Sequence, residues 1–195
     1  MTAGMHAASQ EGAAQRVPTV FTIGHSTQSV EAFIQLLAGN GVTQVADVRR
    51  FPASRRHPQF AREALAAELE RAGIAYEWLP DLGGRRAPRA DSRNTGWRND
   101  GFRGYADYME TPAFADAAER LMHLARRRPT AYMCAEHAWQ QCHRGLISDY
   151  LKVAGWEVLH ILSSGKTQPH PFTEPARVVD GSLTYAAQGE LDFPG

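Results

Sequence analysis

Residues 130–151, TAYMCAEHAWQQCHRGLISDYL, hold both cysteines of the chain, Cys134 and Cys142, eight positions apart. Glu136 lies between them, and His143 and Arg144 follow the second directly. Thiol, carboxylate, imidazole and guanidinium in one short stretch are the parts of nucleophilic catalysis: a thiolate attacks, an acid or base moves the proton, and a fixed cation holds negative charge. PTAYMC reads as a strand ending at Cys134, and CHRGLISDYLKVAG as a helix beginning near Gln141–Cys142. The amides and dipole of a helix start favour an anion in the loop before it. A thiol placed there has its pKa lowered from about 8.5 to roughly 3.5–7.5. Cys134 is therefore the expected nucleophile or sulfur carrier, with Cys142 a resolving thiol, a ligand or the reactive sulfur in its place. Glu136 and His143 are candidate proton carriers, and Arg144 a candidate anion holder. Two other outcomes stay open. Cys134, His137, Cys142 and His143 are soft ligands of the kind zinc takes, although side chains at adjacent positions of a helix start diverge, so no metal is expected. Two inert, buried thiols are the commonest fate of cysteine.

Other constellations lie upstream. GHST, residues 24–27, follows a strand: Gly24 permits close backbone approach, Ser26 and Thr27 offer hydroxyls, and His25 serves as acid, base or donor. Ser26, Thr27 or Ser29 can equally cap the helix that follows. Asp47, Arg49 and Arg50 come after a second strand, so one arginine can pair with Asp47 and leave the other for a ligand. FPASRRHPQF carries Arg55, Arg56 and His57 between aromatics, and GWRNDGFRGYADY repeats the theme with Trp97, Arg98, Phe102, Arg103 and Tyr105. Basic groups interleaved with rings suit single-stranded nucleic acid, or a solvated loop whose rings tuck into the core.

These groups need a frame. TVFTIG, TQVADVR, AYEWLP, PTAYMC and WEVLHIL read as strands, and the segments between them as helices, apart from a long irregular stretch over 81–104; the helix covering YADYMETPAFADAAERLMHLARRR is expected to break near Thr111-Pro112. ARVVDGSLTY suggests a hairpin around Asp180-Gly181. Such alternation predicts an α/β fold: three layers, a mainly parallel five-stranded sheet with helices on both faces, Rossmann-like or rhodanese-like. Ligands then bind beyond the carboxyl ends of the strands, where His25, Asp47 and Cys134 all fall. The expected division is a disordered N-terminal tail over 1–18, one α/β domain over 19–185 and a C-terminal tail over 186–195.

Composition sets limits. The formal net charge of the 195 residues is zero, so no global field draws the protein to nucleic acid. Lys152 and Lys166 are the only lysines, so 19 of the 21 basic residues are arginine, the side chain that grips oxyanions with two parallel donors. No apolar run approaches the ~20 residues of a membrane helix. With two cysteines and no export signal, a cytoplasmic location is expected. Neither a dinucleotide fingerprint nor a phosphate-binding Gly-Lys-Ser/Thr loop is present, so no cofactor is expected.

TIGHST at 22–27, DVRRFPASRRHPQF at 47–60, LGG at 82–84, FRGYADYM at 102–109, CAE at 134–136 and CHR at 142–144 together resemble the bacterial and archaeal family called domain of unknown function 488. The resemblance runs from about residue 19 to 185. More remotely, Asp-Val-Arg at 47–49 and the strand–cysteine–loop–helix order are similar to the rhodanese and cysteine-phosphatase superfamily. There an arginine closes the loop about five residues after the cysteine; here Cys134 and Arg144 are ten apart. These observations lead to a cysteine-dependent enzyme acting on a small anionic substrate by sulfur or phosphoryl transfer. Cys134, Glu136, Cys142, His143, Arg144 and His25 are its catalytic candidates. Gly24, Ser26, Thr27, Asp47, Arg49, Arg50, Arg103 and Tyr105 are its binding candidates. The alternatives are a module that binds or processes nucleic acid and a zinc site at Cys134 and Cys142.

Overall fold

The computed structural model describes residues 17–53 and 56–187. The expected tails, apart from Val17, Pro18, Ala186 and Ala187, lie outside the described residues, as does Arg55. In chain order the elements are β1 Thr19–Gly24, α1 Val30–Gly39, β2 Gln44–Asp47, α2 Arg62–Arg71, β3 Ala75–Trp78, α3 Asp100–Met109, α4 Pro112–Arg127, β4 Thr130–Cys134, α5 Arg144–Val153, β5 Glu157–Ile161, β6 Thr167–Pro169, β7 Arg177–Val179 and β8 Ser182–Thr184. Single 3-10 turns occupy Pro58–Phe60, Pro80–Leu82 and Trp139–Gln141. No helix among the described residues is long and apolar enough to cross a membrane.

The sheet runs β3-β2-β4-β1-β5-β6. The five strands expected from the sequence are parallel to their neighbours. The sixth, β6, corrects the strand count: it pairs antiparallel with β5. Its three residues are all exposed, so it carries no hydrophobic alternation to announce it. Pro169 is tolerated there because an edge strand can spare an N–H. β4 and β1 lie in the middle of the sheet, which explains their near-continuous burial.

Alternate residues of these strands feed two core clusters. Ile23, Val45, Ala131 and Met133 pack with Phe33 and Leu37 of α1 and Leu65 and Leu69 of α2. Val20, Ala46, Tyr132 and Cys134 pack with residues of α3, α4 and α5, among them Tyr105, Phe114, Leu121 and Leu146.

Local chemistry sets the boundaries. Ser29 caps α1, accepting from the Ala32 amide at 3.2 Å, and Gly41 beyond it takes φ 69°. Thr111 caps α4, with Pro112 in its first turn, which accounts for the break between α3 and α4. α3 begins at Asp100, earlier than the tyrosine-rich segment suggests, because the Asn99 side chain accepts from the Phe102 amide. The hairpin forms as expected around Asp180 and Gly181, with φ 49° and 77°, values suited to a two-residue turn.

α5 begins at Arg144, not at Gln141–Cys142. The Trp139–Gln141 turn closes on itself, and Cys142 is extended, with φ −132° and ψ 144°. That conformation takes Cys142 out of the helix and turns its sulfur back onto the helix start, where it accepts from the Arg144 amide at 3.5 Å.

Candidate functional site

Cys134 is the last residue of β4 and lies beside Gly24, the last of β1. The chain leaves the sheet there, turns through Trp139–Gln141 and returns with Cys142 and His143. The result is convergence: one ligand atom each from Cys134, Cys142 and His143 lies within 4.8 Å of the others. His143 Nδ1 is 3.7 Å from the Cys142 sulfur and 4.0 Å from that of Cys134. Its other nitrogen, Nε2, faces the Val48 carbonyl at 3.2 Å. A carbonyl only accepts, so Nε2 carries a hydrogen, and Nδ1 is the nitrogen turned to both sulfurs. Adjacent side chains 142 and 143 thus converge, against expectation, because Cys142 is extended while His143 is already helical.

Both cysteines are free and nearly buried, yet they and His143 line an open crevice of about 410 Å³ together with Arg49, Arg50 and Arg85. Burial opposes ionisation of Cys142, but a hydrogen bond from Cys134 and the positive charge of His143 and Arg144 outweigh it and hold this thiol well below its ordinary value. Cys134, which gives that hydrogen bond and is buried too, is pushed well above. Of the two sulfurs, Cys142 is therefore the more readily ionised. Cys142 also accepts the free amide at the start of α5, where a helix favours negative charge.

The remaining candidates have distinct fates. Arg144 is 2% exposed and is consumed structurally: its guanidinium donates to Thr22 Oγ1 at 3.0 Å, the Glu136 carbonyl at 2.7 Å and the His137 carbonyl at 3.2 Å. It clamps the cysteine loop to β1 and does not line the crevice. Gly24 makes the clamp possible, since a Cβ there would fall 1.8 Å from the Glu136 oxygen. The GHST turn is not an anion cradle: the amides of His25 and Ser26 are spent on the carbonyls of Cys134 and Ala135, and Thr27 is exposed. His25 stacks on Phe60 at 4.1 Å. Burial and the adjacent Arg49 lower its pKa to about 4. It does not line the crevice: its Nδ1 donates to the Ser26 carbonyl at 2.9 Å, and its Nε2 accepts from Arg49 at 3.4 Å.

Asp47, fully buried, is paired with Arg49 at 2.5 Å and accepts from Tyr76 at 2.7 Å. It aims Arg49 and does not itself meet the crevice. Arg49 and Arg50 do, and so does Glu136. Arg103 is tied to Asp100 at 2.7 Å. Tyr105 is buried, donates to the Leu82 carbonyl at 2.7 Å and supports the His143 ring at 5.1 Å, so it positions the site from behind. Among the aromatics, Phe60 is fully buried, Trp97 and Phe102 pack on the core, and Phe51 is exposed beneath Arg50. His137 is exposed and outside the cluster.

Three contributors had no reading of their own. Arg85, at φ 61°, lines the crevice, and its carbonyl accepts from Arg50 at 3.2 Å. Gly83 passes so close to Arg50 that a Cβ would meet its backbone at 2.7 Å. The LGG stretch, already conspicuous as Leu-Gly-Gly before two arginines, was the available signal. The third is a buried chain, Asp149–His170–His160, with both links at 2.9 Å, whose members are distant in sequence.

An α/β sheet with its thiols, imidazole and arginines gathered at the carboxyl end of the central strand defines an α/β protein with a crevice at that end of the sheet. More particularly, residues 29–151 match the family model described as Domain of unknown function DUF488, and the chain belongs to that family. No curated protein and no solved structure matches it.

Proposed function

We propose that this protein is a cysteine-dependent enzyme that transfers a sulfur or phosphoryl group from a small anionic substrate, with Cys142 as nucleophile. The observation that carries the reading is the convergence of both sulfurs and His143 Nδ1 on a crevice lined by three arginines. The Cys142 thiolate attacks the transferable atom of the substrate. A bond forms from Sγ to that atom as the bond to the leaving group breaks with its electron pair, and the Cys134 thiol supplies the leaving group's proton. Water or a second thiol then removes the group from Cys142 and returns a proton to Cys134 through His143. Arg50 and Arg85 hold the substrate's charge, since Arg49 is bonded to Asp47 and to the Phe60 carbonyl. The plan that goes with this chemistry is three-layered and rhodanese-like, and the free thiols suit a cytoplasmic compartment. The test is iodoacetamide labelling at pH 6 with mass-spectrometric mapping. Labelling of Cys142 before Cys134 is expected; equal inertness of both in the folded protein would overturn the proposal.

A second reading has its own observation. A histidine held by a backbone carbonyl, with its free nitrogen beside two sulfurs, is the arrangement of a zinc ligand set. Cys134, Cys142 and His143 would supply three ligands and leave the fourth position open to the crevice. Elemental analysis of protein purified without chelator separates the two: one zinc per chain favours the metal, and none favours the thiolate.

A further inference from the structure

A larger cavity of about 710 Å³ adjoins the crevice. Asn99 and Phe102 belong to the walls of both, so the two are neighbours, with the sulfurs in the smaller. The volume of the second cavity lies within the range of small-molecule sites. Its walls are aromatic: Trp97, Phe102, Trp139 and Phe172 all line it. The indole N–H groups of Trp97 and Trp139 are buried and have no hydrogen-bond partner, and Trp139 itself is only 8% exposed. Phe172, by contrast, stands 38% exposed, a large ring kept at the surface.

Both ends carry arginine. The sulfur end has Arg50 and Arg85 against Glu136, with Arg49 paired to Asp47. The aromatic end has Arg98 and Arg177 against Glu174, and Arg177 is already bonded to the carbonyls of Glu174 and Ala176 at 2.7 and 2.8 Å. An anionic group is placed at the first end, beside Arg50 and Arg85 and next to the sulfurs, and a planar group at the second, whose walls are aromatic. Rings of this kind stack on flat π-systems regardless of their substituents.

We infer that the substrate is an aromatic oxyanion: a planar ring, of aryl or nucleobase type, joined to a phosphoryl- or sulfur-bearing anionic group, with the ring seated among Trp97, Phe102, Trp139 and Phe172. This rests on the reading of the arginine-lined crevice as an anion site. It also gives the Trp97–Phe102 stretch a role in holding one ring, with no need for a nucleic-acid strand.

Isothermal titration of the full chain with inorganic phosphate, phenyl phosphate and adenosine monophosphate tests it, with tryptophan fluorescence as a second readout. Both aromatic probes are expected to bind at least tenfold more tightly than phosphate and to quench tryptophan emission. Phe172→Ala should remove most of that gain while leaving phosphate affinity unchanged, whereas Arg50→Ala should weaken all three probes together. Phosphate binding that depends on Arg50, with no advantage for either aromatic probe, would overturn the inference and leave the anion site standing. Failure of all three probes to bind would overturn both.

Discussion

Gly84 lies against the ring of His143 so closely that a Cβ at position 84 would sit 2.9 Å from Nδ1, the nitrogen that faces both sulfurs. The absence of a side chain there keeps the imidazole seated between the Val48 carbonyl and the thiols. Gly84→Ala must push the ring or the loop aside, and overpacking of this kind costs about 1–3 kcal/mol. The expected result is a modest fall in the urea midpoint and a several-fold slower alkylation of Cys142. Unchanged alkylation in a folded variant would show that His143 does not tune the sulfur.

Cys134→Ala removes the hydrogen bond that helps hold Cys142 ionised. The pKa of Cys142 should rise, so its alkylation–pH profile moves to higher pH and its rate at pH 6 drops. Cys142→Ala should instead abolish labelling in this window and let the Cys134 pKa fall towards an ordinary thiol value, since Cys142 is the first cause of its elevation. Profiles that shift in the opposite sense would exchange the roles of the two sulfurs.

Arg144 and Arg50 are both candidate anion holders by sequence, and the structure separates them. Arg144→Ala strands Thr22 Oγ1 and two loop carbonyls, each of which loses its bond to the guanidinium. Leaving buried polar groups unpaired costs about 1–3 kcal/mol apiece, so thermal denaturation should show a large loss of stability. Arg50 is exposed and makes one backbone bond. Its replacement by alanine should leave stability within about 0.5 kcal/mol while lowering anion affinity.

Gly24→Ala should be the most damaging small change, because the new methyl would meet the Glu136 carbonyl at 1.8 Å and the Arg144 guanidinium at 2.8 Å. Neither is a free side-chain end: one is backbone, and the other is the clamp itself. A stability loss of about 3 kcal/mol or more is expected from chemical denaturation, with the cysteine loop becoming open to proteolysis.

Stability should fall on acidification through the histidine range. His25 and His160 are buried neutral, with pKa values lowered to about 4 and about 3. Burial is the first cause for both. For His160 the charges of His170 and Arg144 add to it. An unfolded histidine takes its proton near pH 6.5, so the unfolded state binds more protons than the folded one at every pH from about 6.5 down to the folded values. Stability is complete above that range and declines as pH drops through it. Urea midpoints at pH 7 and pH 5 should differ, and His160→Gln should flatten the slope.

Much of the frame was legible because its signals are local. β1, β2, β4 and β5 are runs of buried apolar residues, Ser29 and Thr111 are short-range caps, and Gly41 and Asp180-Gly181 occupy backbone regions that favour such residues. The cysteine stretch stood out for the same reason: its residue types are close in the chain. β6 was not legible, since three exposed residues with a proline carry no pattern of their own.

The sequence by itself determined that an α/β sheet would bring Cys134 to the carboxyl end of a strand, because buried strands read as short apolar runs. Only the tertiary structure decided which sulfur ionises more readily, that Arg144 is a clamp and Arg85 a wall of the site, and that His143 faces both thiols. Those outcomes depend on where the Val48 carbonyl, the Leu82–Arg85 loop and the end of β1 lie in space. Distances between segments far apart in the chain are set by packing and by the exact conformation of one extended residue, Cys142, and neither leaves a trace in local spacing.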